Sequence, residues 1–253
     1  MIRFGNPALS RVQRMNSQTD MVVPSSYGGI AIKSIYFIVL TFLAAVTSFV
    51  GSVFLITQGN IGLIVGLLIG SSIVSLISAF IAILNPGATK IAGSIYAITQ
   101  GFVMGFTALM FWEMGFSGEV FSALFATIGV FAVMMTLYAT GIIRVGSGFR
   151  KFMISALIAA VLVNLLMFII SLFSPALREM FYGNGWFSIG ISVVMVVLAS
   201  LMILLDLNRM TEIVNGGLDK KYEWIAAFGL LITLVWLYME FLRLFAKLAS
   251  RRR

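Results

Sequence analysis

Cysteine and histidine are both absent from this 253-residue chain, proline occurs four times, and charged residues make up only 10% of it. Without cysteine there is neither a disulfide nor a thiolate metal site. Without histidine the usual proton switch near neutral pH and the commonest zinc ligand are missing. Any proton sensing therefore falls to carboxylates, and only nine residues are acidic. The nucleophile–base pairs of most hydrolases are excluded, and a two-aspartate intramembrane protease would need aspartate where Glu240 stands. The chain reads as no enzyme, with no cofactor implied.

What is present is apolar. Sixty per cent of the residues are hydrophobic and the mean hydropathy is +1.07. A soluble domain of this size cannot bury that much apolar surface, so the solvent is lipid and the bilayer is the first partner. The net charge of +8 fits lysines and arginines facing anionic headgroups; nucleic acid is not an expected partner.

Crossing about 30 Å of hydrocarbon takes about 20 helical residues. Seven segments qualify or nearly so: 34–56, 61–84, 91–112, 120–143, 152–173, 186–205 and 224–242. The breaks carry turn chemistry: Gln58-Gly59-Asn60, Asn85-Pro86-Gly87, Gly115-Phe116-Ser117-Gly118, Gly146-Ser147-Gly148, Ser174-Pro175 and Gly183-Asn184-Gly185. Short connections imply antiparallel neighbours in one bundle. The fold class is an all-α membrane protein with seven transmembrane helices. Residues 1–31 form an amino-terminal tail with no apolar signal-peptide core, carrying a short interfacial helix. Residues 32–248 form the membrane domain, and 249–253 a basic carboxyl tail.

Lysine and arginine mark alternate connections. Arg3, Arg11, Arg14 and Lys33 precede the first span; Lys90, then Arg144, Arg150 and Lys151, then Arg209, Lys220 and Lys221 follow, with Arg178 isolated on the other side. The amino terminus is thus expected in the cytoplasm. Seven spans put Lys247 and Arg251-Arg252-Arg253 on the opposite side, against that rule, and a complete but short seventh helix is expected.

Small residues repeat at helical spacing: Gly62, Gly66 and Gly70 on the second span, Gly101 and Gly105 on the third. They predict close packing within the bundle, with a dimer interface as the alternative. Gln100 and Asn164 are mid-span polar groups expected to form interhelical hydrogen bonds, with lining of a pore as the alternative.

Two acids stand apart. Asp206 closes the 186–205 run, and Glu240 sits inside the last one. A carboxylate within a span costs about 2.5 to 3.5 kcal/mol on insertion scales, and such groups mark ion or proton routes. Each has an arginine three residues on, Arg209 and Arg243, on the same helix face. These are candidate counter-charges, and two local ion pairs are the plain alternative to a joint site. Glu240 shares its stripe with Trp236, Thr233 and Gly229. It lies about 16 residues into the last span, roughly 24 Å of rise. Contact with Asp206 then needs the sixth helix to continue past Asp206 or the seventh to run deep. If they meet, one proton held between them would lock two helices together, and its loss would make them repel or bind a hard cation such as Ca²⁺. Asp206 and Glu240 are therefore also a candidate metal pair.

The same residues carry a family resemblance. Leu205-Asp206-Leu207-Asn208 and Trp236-Leu237-Tyr238-Met239-Glu240-Phe241-Leu242-Arg243-Leu244-Phe245 resemble the transmembrane Bax inhibitor motif family, of the Bax inhibitor-1 type. Asn6-Pro7-Ala8-Leu9-Ser10-Arg11 and Tyr222-Glu223-Trp224-Ile225-Ala226-Ala227-Phe228-Gly229-Leu230 resemble its bacterial branch. The resemblance implies six helices wrapped around a central carboxy-terminal one, in the bacterial inner membrane. It also implies a pH-sensitive Ca²⁺ leak in which paired aspartates on the last two helices share a proton and gate the pore, with Ca²⁺ and protons as partners. Asp206 matches the first aspartate. Glu240 falls on the second and departs from it by one methylene. Some relatives carry an acid on the second helix and an arginine near its end; here that helix has no acid, and Lys90 is the only nearby base. The rival reading is a non-transporting, membrane-embedded regulator of another membrane protein, such as a protease.

Overall fold

The computed structural model describes residues 23–252. Most of the expected amino-terminal tail, with its interfacial helix and the Asn6–Arg11 motif, lies outside the described residues, as does Arg253.

Among the described residues the chain forms α1 (Tyr27–Thr57), α2 (Ile61–Leu84), α3 (Thr89–Glu113), α4 (Ser117–Ala139), α5 (Ser147–Phe173), α6 (Pro175–Tyr182), α7 (Trp186–Asn215) and α8 (Tyr222–Arg252). All but α6 are long and apolar enough to cross a membrane. Local chemistry sets the ends. Ser26 caps α1 by accepting from the Gly29 amide. Ser174 caps α6, with Pro175 in its first turn. Gly59 and Gly217 end α1 and α7 with φ of 74° and 61°, where a side chain would be strained.

Three bounds differ from the sequence expectation. α6 is an extra short helix in the connection holding Arg178. α7 continues past Asp206 to Asn215 because Leu207, Met210 and Ile213 keep one face buried through the polar stretch. α8 is complete but not short: it runs 31 residues to Arg252, and Leu242, Leu244 and Ala246 are buried beyond the apolar run.

The core is built on α8, which has 67% of its most apolar window buried, whereas α5 has none. One cluster joins α8 to α7 through Leu230, Leu237, Ile203 and Leu207; another joins it to α1 and α3 through Phe37, Tyr96 and Phe228. The Phe228 ring meets those of Phe37 and Tyr96 edge-on, at 5.9 and 5.2 Å. α8 packs against α7, α4, α1, α3 and, sparingly, α2. α5 packs on α6 and α7 instead, so the expected six-helix wrap is incomplete.

Several polar groups inside the bundle are satisfied within their own helix. Ser34, Thr41 and Ser200 donate to the carbonyls four residues back. Among the described residues no buried side-chain nitrogen or oxygen lacks a hydrogen-bond partner, as a solvent without hydrogen bonds demands. Gly101 and Gly105 lie directly against the backbone of Thr41 and Ala45 on α1, the close approach expected of them. Gly62, Gly66 and Gly70 do not follow that expectation: none has a neighbouring atom within 4 Å of where a Cβ would stand.

Candidate functional site

Helices α7 and α8 form an antiparallel hairpin about the 216–221 connection, so residues equidistant from that turn face each other. Asp206 consequently meets Gly229 and Thr233. Thr233 Oγ1 donates to Asp206 Oδ2 at 2.5 Å and to the Gly229 carbonyl at 3.3 Å. Gly229 lies beside the acid: a Cβ there would stand 3.4 Å from Asp206 Oδ1, in ordinary contact. No ion pair joins Arg209 to Asp206 among the described residues. Nearby, Tyr138 donates to Thr211 at 2.9 Å, and Asn208 donates to Glu212, which pairs with Arg150.

Glu240 occupies a second level on the same stripe. Its Oε1 accepts from Trp236 Nε1 and from the Arg243 guanidinium, both at 2.9 Å, and its side chain is only 3% exposed. Seven residues separate Thr233 from Glu240, about two turns or 10.5 Å of rise. Among the described residues no hydrogen bond joins the two acids: Asp206 is met by Thr233, and Glu240 by Trp236 and Arg243. Among the described residues no cluster of three or more acids could hold a metal.

A cavity of about 330 Å³ reaches Glu240 from the end of the bundle where Trp186 lies. Arg243, Lys247, Asn164, Asn184 and Ser192 also line it. Lys247 Nζ donates to Ser192 Oγ at 2.9 Å and to the Ser188 carbonyl at 3.3 Å. Asn164 donates to the Ala160 carbonyl of its own helix, so it faces the cavity without the expected bridge to another helix. Gln100 is half-buried on α3 and does not line this cavity.

Sequence reasoning passed over Glu223, treated as one more helix-end acid. It is fully buried and ion-paired with Lys33. It also accepts from the Ser26 amide at 2.8 Å and from the Ser26 hydroxyl at 3.3 Å. Gly29 lies against the carboxylate, leaving no room for a side chain. Lys33 and Lys90 stand over the Trp224 ring at 5.1 and 5.5 Å. The Ser25 amide donates to the Leu218 carbonyl and the Lys220 amide to that of Val23, so the start of α1 is tied to the α7–α8 turn. The signal available in the sequence was an acid in the first turn of the last apolar helix and a lone lysine entering the first.

Comparison with known proteins matches residues 6–250 to a family described as Bax inhibitor 1 like. An uncharacterised membrane protein of Streptococcus pyogenes serotype M3 is 28% identical over 185 residues, 70% of this chain and 73% of that protein. Another from serotype M1 is 27% identical over 186 residues, with the same shares covered.

Proposed function

The chain belongs to the Bax inhibitor 1 like family of membrane proteins, and from that premise we propose that it is a pH-sensitive leak for cations, Ca²⁺ among them, in the bacterial inner membrane. The observation that carries the reading is the single stripe Gly229–Thr233–Trp236–Glu240 on the most buried helix, which holds both acids at successive levels. Membrane-embedded acids facing protein rather than lipid mark ion and proton routes. The lysine- and arginine-rich end, with Ser26 and the 216–221 turn, faces the cytoplasm in this reading.

Glu240 and Asp206 act as separate stations. At Glu240 the Arg243 and Trp236 donors neutralise and cover the carboxylate, which closes the inner end of the cavity. At Asp206 the Thr233 hydroxyl covers the carboxylate from α8 without bringing a charge. Opening withdraws these donors and presents an anionic oxygen to the passing ion. A protonated carboxyl cannot serve as that ligand, so in this reading conduction falls as pH falls.

Ca²⁺ flux into liposomes, measured from about pH 5 to pH 8, tests this. The wild-type protein is expected to pass more Ca²⁺ as pH rises. Asp206→Asn and Glu240→Gln should each flatten that dependence. Flux no greater than that of protein-free liposomes at every pH overturns the leak and leaves the non-transporting regulator.

A further inference from the structure

The cavity beside Glu240 holds more positive charge than negative. Glu240 is the acid among its lining residues, against Arg243 and Lys247. Arg243 already engages Glu240. Lys247 bonds only to neutral acceptors, Ser192 Oγ and the Ser188 carbonyl, and has no ion pair among the described residues. One half-buried cation therefore faces the cavity without an ion pair of its own, and the Glu240 charge that shares the cavity is already engaged by Arg243, an arrangement that favours an anionic ligand.

Depth identifies the kind of anion. Arg251 stacks on Trp186 at 3.8 Å, and tryptophan with arginine marks the headgroup layer. Lys247 lies one turn, about 6 Å, inside that contact. Much of the wall is apolar, with Val163 and Met167 of α5, Met195 of α7 and Phe111 of α3 among its lining. Because α5 makes no backbone packing with α8, the seam between them opens toward the acyl chains. A basic pocket with an apolar floor, at headgroup depth between two helices, is the chemistry that holds a lipid phosphate.

We propose that this cavity is a binding site for an anionic phospholipid. Lys247 holds the phosphate, Asn164 and Asn184 meet headgroup hydroxyls, and an acyl chain lies along the α5–α8 seam. The unpaired Lys247 cation repels the quaternary amine of a zwitterionic head, which sets the preference for an uncompensated phosphate. The site does not require that the protein conduct ions.

Native mass spectrometry of the full-length protein in uncharged detergent reads the retained lipid directly. Phosphatidylglycerol is expected to be retained about fivefold better than phosphatidylcholine, and Lys247→Gln to lose that difference while Lys247→Arg keeps it. Val163→Trp leaves both charges in place and narrows the seam, so it should also lower phosphatidylglycerol retention. Equal retention of the two lipids, or a Lys247→Gln protein that keeps its preference, overturns the proposal. So does full displacement of the lipid by millimolar inorganic phosphate, which would mark a free-phosphate site. If Lys247→Gln does not fold, unchanged retention by Val163→Trp is decisive against it.

Discussion

At Thr233 a single hydroxyl decides how an acid inside a membrane bundle is tolerated. It donates to Asp206 from the neighbouring helix at 2.5 Å, and a carboxylate deprived of a buried donor loses about 1 to 3 kcal/mol. Thr233→Val keeps the shape and removes the donor, so it should lower stability by about that amount, with Thr233→Ser close to wild type; thermal unfolding in detergent measures both. Glu223 gives a second contrast. Its ion pair with Lys33 is buried, whereas the Arg150–Glu212 pair is 42% and 53% exposed at the two side chains. Glu223→Ala leaves Lys33 without its counter-charge and the Ser26 amide without its acceptor, and should cost about 3 kcal/mol. Arg150→Ala should cost no more than about 1 kcal/mol. Equal losses in the two variants would show that burial does not set the strength of these pairs.

The glycine spacing on α2 and α3 looks alike in sequence, but the two helices use it differently. On α3, a Cβ at Gly105 would run into the Ala45 backbone of α1; on α2, Gly66 has open space. Gly105→Ala must push α3 off α1 and should destabilise by about 1 to 3 kcal/mol. Gly66→Ala adds helix propensity in open space and should be neutral or slightly stabilising, by the same unfolding measurement. Spacing tells which residues share a face; only the partner helix tells whether the face is covered. The same limit applies along α7. Hydropathy ended that helix at residue 205, yet the helix continues because its polar residues alternate with Leu207, Met210 and Ile213 against the core. Hydropathy averages over all faces, and an amphipathic turn falls below its threshold.

Across the whole molecule, seven spanning helices put the two ends of the described chain at opposite ends of the bundle. The start of α1 is tied to the α7–α8 turn, and the end of α8 stacks on Trp186 at the far side. The absence of cysteine makes this testable without a background. Lys220→Cys and Arg252→Cys should react with a membrane-impermeant maleimide from opposite sides of sealed vesicles. Labelling of both from one side would mean that α8 does not cross, despite its length.

The amino-acid sequence by itself determined the solvent, the number of spans and the two costly acids, because each follows from composition and length against the thickness of a bilayer. It also placed Gly229, Thr233, Trp236 and Glu240 on one stripe, since helical periodicity needs no partner. The tertiary structure decided what that stripe touches. Asp206 meets Thr233 rather than Glu240 because the length of the α7–α8 hairpin fixes which levels face each other. Glu223 emerged as a buried anchor because its partners stand at the other end of the chain. The cavity exists because α5 packs on α7 and leaves α8 open. Distances across helices depend on where helices end and how they cross, and no local pattern of residues encodes that.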